Sequence, residues 1–259
     1  MSFQPIGVVT LTTDFGMSDG YVGAMKGVIL STDLRLSAID IAHDVNPQSL
    51  THGALTVAAS CPRFPLGTVH VVVVDPGVGS RRSPMCALAG GHAFIGPDNG
   101  VLSEVTTLMG GIDAAYRIER SFGPVSNTFH GRDVFAPAGA ALAAGLMAPR
   151  DLGREFKPVV AGFPQPKSVD EGLICRILAC DHFGNCITNV RANAVTSFRA
   201  VMLPDGSNVP FVATYSDVDS GEGLALVGSS GWLEVAVRDG SAKDKFGLKP
   251  GATLLALTQ

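Results

Sequence analysis

The segment GTVHVVVVDPGVG, residues 67–79, constrains the fold of this chain more than any other stretch. It is a short, apolar, β-branched run that stops at Asp75-Pro76-Gly77. Such a run reads as a strand buried on both faces, the position strands take in a parallel sheet covered by helices. The surrounding sequence fits that reading. IGVVTLTT (6–13) is a second buried strand, and LSAIDIA reads as a further strand. SDGYVGAMKGVILSTD places Tyr21, Val22, Met25, Val28 and Ile29 on one helical face. NPQSLTHGALTVAASC reads as a helix with Asn46 as N-cap and Pro47 in the first turn. HAFIGPDNGVLSEV repeats the order strand, turn, helix. RDVFAPAGAALAAGLM is an alanine-rich helix whose Pro137 is tolerable only near its start. The alternation predicts an α/β N-terminal domain with a mainly parallel central sheet flanked by helices.

The pattern changes after the proline-rich KPVVAGFPQPKS (157–168). LICRILACD, RAVML, VPFVAT, GLALVG, WLEVAV and TLLAL are short β-like runs separated by Gly, Asp, Asn and Ser. They predict a smaller, all-β, barrel-like C-terminal domain. The expected boundaries are 1–160 for the first domain, 161–170 for a linker and 171–259 for the second.

Composition narrows the function. Hydrophobic residues make up 46% of the 259 and charged residues 16%, a balance that favours folding over disorder. The net charge is -4, without a dense Lys/Arg cluster, so nucleic acid and anionic membranes are not expected partners. No apolar run approaches the roughly 20 residues that span a bilayer, and MSFQPIGVV lacks the features of a signal peptide. The five cysteines form no CxxC pair and sit among apolar neighbours. Reduced, mostly buried thiols, a cytoplasmic location and no metal site are the expectation.

Asp14-Phe15-Gly16 spells a kinase magnesium-binding signature, and FHGRDVF (129–135) looks like a scrambled kinase catalytic loop. The order is wrong for a kinase, because too few residues precede the first motif to build a nucleotide lobe. No GxxxxGK[ST] loop is present either. Position is more informative. In an open parallel sheet, ligands bind outside the carboxyl ends of the strands. Asp14, Asp75, the Asp98-Asn99 pair, and the loop carrying His130, Arg132 and Asp133 all fall at such places. Simpler roles compete at each one. Asp14 can cap the following helix, Arg132 and Asp133 can form a local ion pair, and His130 can be structural. His43-Asp44 resembles half a metal site, without matching ligands nearby. In the second domain, CDHFGNCITN (180–189) sets Phe183 among Asp181, Asn185, Thr188 and Asn189. A ring beside amide and carboxylate groups suits a planar heterocycle. The same residues can equally build a glycine turn.

Taken in order, TTDFGMSDGYVGAMKG, HDVNPQ, VVVVDPGVGSRR, IGPDNGVLS, FHGRDVFAPAGAALAAG, DHFGNCITN and GSSGWLEVAVRDGSA span nearly the whole chain. This ordered set resembles the S-adenosyl-L-methionine (SAM) hydroxide adenosyltransferases, the adenosine-forming SAM hydrolases related to fluorinase and chlorinase. The resemblance implies a homotrimer with SAM held between the N-terminal domain of one subunit and the C-terminal domain of its neighbour. It implies an activating triad of Asp75, Arg82 and His130, Arg82 being preferred to Arg81 because it stands seven residues after the aspartate. Asp14 would hold the ribose hydroxyls and Asp19 the methionine amine. Phe183 and Asn185 would meet the adenine, Asp181 the methionine end, and Phe129 and Ser230 would complete the substrate contacts. Two departures stand out. Arg238-Asp239-Gly240 replaces a more usual Asn-Gly arrangement, and Ser230 stands where the halogenases use an arginine.

The implied reaction is SAM plus water giving adenosine plus L-methionine, without a cofactor. The halogenases carry Tyr at the place of Asp75, so retention of the charged set points to water rather than halide as nucleophile. The alternatives are a SAM or adenosine sensor that leaves its ligand intact, halide-dependent SAM cleavage, and metal-dependent phosphate ester hydrolysis.

Overall fold

A computed structural model of the protein describes residues 3–195 and 197–258. The chain divides into two compact units, Met1–Gly162 and Phe163–Gln259.

The first unit is organised by the valine run. Its strands are β1 (Val8–Thr13), β2 (Ser37–Ala42), β3 (Val69–Val73), β4 (Pro84–Ala89), β5 (His92–Pro97) and β6 (Ala114–Arg117). They form one sheet in the order β2-β1-β3-β5-β4-β6. The β1/β2, β1/β3 and β3/β5 pairs are parallel, and β4 pairs antiparallel with both β5 and β6. Helices α1 (Tyr21–Thr32), α2 (Leu50–Ser60), α3 (Ser103–Leu108) and α4 (Ala136–Ala143) complete the unit.

The β3 residues divide between two cores. Val69, Val71 and Val73 pack with Met25 and Ile29 of α1 and the alanines of α4. Val72 and the following Val74 pack with Val57 of α2 and Leu102 and Val105 around α3. A strand with apolar neighbours on both sides has no polar face to show, which is why its sequence does not alternate. The small residues of α4 let the helix approach closely. A Cβ on Gly139 would fall 2.6 Å from Val71 Cγ2.

The strand order brings candidate residues together. From β1 the chain leaves to β2 on one side, and from β3 it leaves toward β5 on the other. The carboxyl ends of β1 and β3 therefore flank a topological switch point, where such sheets leave a crevice. Thr13 pairs with Val73, so the residues just beyond them, Asp14 and Asp75, open onto the same end.

Three expectations change. The N-cap of α2 is Ser49, whose Oγ accepts from the His52 amide; Asn46 and Pro47 lie before the helix. Three strands, β4, β6 and β9 (Cys186–Arg191), are not evident as strands in the sequence. The first two are short and rich in alanine, so sheet partners rather than intrinsic preference make them extended. The stretch read as a linker ends in β7 (Lys167–Val169), which pairs with β8 (Gly172–Cys180). Pro137 lies in the first turn of α4, directly after a π-helical turn, Gly131–Phe135.

The second unit adds β10 (Phe198–Met202), β11 (Asn208–Pro210), β12 (Gly223–Val227), β13 (Trp232–Val237), helix α5 (Ala242–Lys245) and β14 (Thr253–Thr258). Its strands run β11-β10-β14-β8-β9-β13-β12, all neighbours antiparallel. A bridge from Phe211, beyond β11, to Ala225 of β12 nearly closes the sheet into a barrel. Strand β8 pairs with β14 through residues 172–176 and with β9 from Ile177 onward, so one bent strand serves both halves. Inside lie Cys175, Ile177, Val190, Val201, Leu233, Val235 and Leu254.

Candidate active site

The candidate residues of the first unit converge at the switch point. Arg82 reaches back across the Asp75–Arg82 loop to grip Asp75. Its Nε donates to Asp75 Oδ1 at 2.9 Å and its Nη2 donates to Oδ2. The same Nη2 lies 2.7 Å from His130 Nδ1. The side chains of Arg82 and Asp75 are only 9% and 5% exposed, so this is a nearly buried, two-pronged pair rather than a surface contact. Phe135 backs the guanidinium, which stands 5.3 Å from its ring centre.

This arrangement fixes the state of His130. A guanidinium only donates, so His130 Nδ1 accepts and the ring proton sits on Nε2. The imidazole is neutral. Burial lowers its pKa, and the adjacent Arg82 charge lowers it further, against the opposing pull of Asp75 and Asp133. His130 stands at the head of a π-helical turn, Gly131–Phe135, that leads into α4. Such widened turns are frequent at functional sites.

One small cavity of about 60 Å³ gathers the set. Asp14, Phe15, Asp75, Thr128, Phe129 and His130 are among its lining residues. The volume suits a few water molecules. Asp14 is not a helix cap, because α1 begins after Gly20 without a side-chain cap. Instead its Oδ2 accepts from the Gln48 amide at 2.7 Å. Gln48 adopts the left-handed backbone region (φ 64°), where a non-glycine residue is uncommon. Phe129 packs edge-on against Phe15 and Tyr21, with ring centres 5.8 and 5.1 Å away. Asp19 is exposed on the loop before α1.

Other polar groups have structural duties. Arg132 pairs with Asp133, which also accepts from the Ser126 amide. His43 is buried between Thr13 Oγ1 at 2.8 Å and Asp40 at 3.0 Å. Asp98 accepts from the Val159 amide, and Asn99 donates to the Val74 carbonyl.

In the second unit, the turn between β8 and β9 carries the rest. Asp181 Oδ1 accepts from the Asn185 amide at 2.8 Å, and Oδ2 accepts from Asn185 Nδ2 at 2.9 Å. This side-chain clamp uses the Asn185 Nδ2 as donor and leaves its side-chain Oδ1 as an acceptor. Phe183, at the tip, is 74% exposed. Ser230 is exposed on the turn between β12 and β13.

Sequence reasoning missed Glu234. It is 7% exposed, on β13, with burial first and the Asp181 charge second raising its pKa to about 7. The signal was available: one carboxylate inside the apolar run WLEVAV. Phe15, Thr128 and Phe135 were also passed over, because only the tertiary fold brings them to the cavity and the guanidinium.

A buried carboxylate–guanidinium pair touching a neutral imidazole, set beyond the ends of two parallel strands, is the kind of site that α/β enzymes build at a switch point. A second, barrel-like unit presents an exposed ring and an amide. Comparison with known proteins gives the family. Residues 9–153 match the SAM hydroxide adenosyltransferase N-terminal domain and residues 175–255 match the C-terminal domain. The chain belongs to the SAM hydroxide adenosyltransferase family. It is 38% identical to the (R)-S-adenosyl-L-methionine hydrolase of Thermus thermophilus, over 94% of this chain and 96% of that protein. A more distant relative is a fluorinase of an Actinoplanes species, 25% identical over 95% of this chain and 96% of the fluorinase. An uncharacterized conserved protein of Thermotoga maritima superposes with a TM-score of 0.87 at 31% identity, covering 95% of this chain and 98% of that one.

Proposed function

We propose that this enzyme hydrolyses S-adenosyl-L-methionine to adenosine and L-methionine, by attack of an activated water on C5′. The observation that carries this reading is the Asp75–Arg82–His130 contact beside a cavity that Asp14, Asp75, Phe129 and His130 line together. The sulfonium leaves as a neutral thioether, so the departing sulfur needs no acid and the reaction needs no cofactor. The barrier lies with the nucleophile. Arg82 supplies fixed positive charge where hydroxide character develops. Each Asp75 oxygen keeps a lone pair after binding Arg82. Asp75 is therefore the proton acceptor, while His130, whose Nδ1 already accepts from Arg82, orients the water. Alignment of oxygen, C5′ and sulfur contributes up to about 7–11 kcal/mol, as in other oriented displacements. Positioned base assistance adds roughly 100- to 10,000-fold.

In this reading Asp14 holds the ribose hydroxyls, Asp19 the methionine amine and Phe129 the nucleoside. Phe183 and Asn185 receive the adenine, and Asp181 and Ser230 serve the methionine end. The second set comes from a neighbouring subunit of a homotrimer, working in the cytoplasm. A halide nucleophile is disfavoured by the carboxylate of Asp75, which would repel it.

The test is incubation with SAM in oxygen-18 water, followed by chromatography and mass spectrometry. Adenosine labelled at its 5′-hydroxyl is expected. Intact SAM would reduce the protein to a sensor, and unlabelled adenosine would exclude attack of water at C5′. Sedimentation at micromolar protein tests the trimer, and a fully active monomer would overturn it.

A further inference from the structure

The turn that carries Asp181, Phe183 and Asn185 is bracketed by two cysteines. Cys180 ends β8, Cys186 begins β9, and the two are direct cross-strand partners. Their sulfurs lie 3.2 Å apart. The adjoining rung is bonded, with the Asp181 amide donating to the Asn185 carbonyl. The cysteine rung is thus the unbonded kind, where opposite Cα atoms are about 4.5 Å apart and side chains come closest. That spacing lies within the roughly 4.4–6.8 Å that a disulfide spans.

We propose that Cys180 and Cys186 form a reversible disulfide on exposure to peroxide, and that this bond resets the turn presenting Asp181, Phe183 and Asn185. The second half of this inference rests on the SAM reading of the site; the first does not.

The two thiols are chemically unlike each other. Cys180 is partly exposed, whereas Cys186 is buried. The contact from the Cys186 thiol, and then the positive charge of Lys243, favour the Cys180 thiolate; burial and the charges of Asp181 and Asp244 oppose it. Helix α5 is held near by the turn itself, since the Lys243 amide donates to the Gly184 carbonyl at 2.9 Å. A Cβ on Gly184 would fall 2.1 Å from Ser241 Oγ, so only glycine allows this docking. The other three cysteines, Cys61, Cys86 and Cys175, are buried, and burial pushes all three thiols up.

The chemistry balances with a peroxide as oxidant. The Cys180 thiolate attacks one peroxide oxygen, the O–O bond breaks, and water or an alcohol leaves after protonation, giving a sulfenic acid. The Cys186 sulfur then attacks the Cys180 sulfur, the S–O bond breaks, and water leaves. Two thiols lose two electrons, and the peroxide gains them. A dithiol reductant reverses the bond by thiol exchange. Closing the sulfurs from 3.2 Å to the roughly 2.05 Å of a disulfide draws the strand ends together directly beside Asp181 and Asn185.

The experiment treats the full chain with hydrogen peroxide, blocks free thiols, digests without reduction and maps the peptides by mass spectrometry. A linked Cys180–Cys186 peptide is expected, with the thiols counted in denaturant falling from five to three and returning with dithiothreitol. Absence of that peptide, or linkage of another pair, overturns the disulfide. In parallel, the KM for SAM is measured before oxidation, after it and after reduction. At least a threefold change that reverses in the wild type, and is absent in Cys186→Ser, is expected. An unchanged KM in fully cross-linked protein overturns the control of the turn while leaving the disulfide standing. The peptide map needs no activity, so it separates failure of this inference from failure of the SAM reading.

Discussion

Replacing Glu234 by Gln tests how the second unit tolerates a buried carboxyl beside Asp181. Glu234 is 7% exposed, and its carboxyl lies against the backbone of Gly228, where a Cβ would meet Oε1 at 1.9 Å. Burial and the Asp181 charge raise its pKa from 4.5 to about 7. The folded protein therefore keeps a proton that the unfolded chain releases above pH 4.5. Stability is full below that value and falls as pH rises toward about 7. The gap corresponds to about 3 kcal/mol at most, and the residual 7% exposure reduces it to about 2–3 kcal/mol. Glu234→Gln cannot ionise and escapes this cost. Thermal unfolding of both proteins at pH 5 and pH 8 is the assay. The variant is expected to gain on the wild type between the two pH values by about 4–10 °C. Any fixed cost of burying the amide cancels, because it is the same at both pH values. An identical gap between variant and wild type at pH 5 and pH 8 would refute the reasoning.

The other predictions concern the first unit. Arg82→Ala leaves Asp75 buried without its partner, and a loss of about 3–5 kcal/mol in chemical denaturation is expected, with turnover reduced about 100- to 1,000-fold. Arg82→Lys keeps the charge but not the fork and falls between, while Asp75→Asn combined with Arg82→Ala costs less than the sum of the two. Asp14→Ala weakens adenosine binding by about 1.5–3 kcal/mol per lost charged hydrogen bond, read by calorimetry; unchanged affinity would leave Asp14 only its contact with Gln48. Because burial and Arg82 hold the His130 pKa below its ordinary 6.5, turnover is expected to persist through pH 6.5 and fall only below it. The unfolded chain takes up that proton first, so the His130 contribution to stability declines as pH drops below 6.5. A turnover midpoint above 6.5 would contradict the neutral imidazole.

Much of this protein was legible in the order of its residues. The unbroken, β-branched Val71–Val74 run reads as a strand covered on both faces, and the Asp75-Pro76-Gly77 that ends it as a strand end. Alternating strand and helix patterns determined the α/β class, and the short runs after residue 170 determined the β-rich second unit. These are local properties, set by periodicity and by the turn preferences of Gly, Pro, Asn and Asp. Tertiary structure decided the rest, because the remaining relations are long-range. The sheet order that sets β1 beside β3 cannot be read from either strand, yet it alone brings Asp14 and Asp75 to one end. The β4 and β6 strands exist because β5 and then β4 offer them unpaired edges. Ser49 rather than Asn46 caps α2, because the backbone around Gln48 turns aside to reach Asp14 before the helix begins. The state of His130 was hidden for the same reason: its proton is placed by Arg82, 48 residues away in the chain and 2.7 Å away in space.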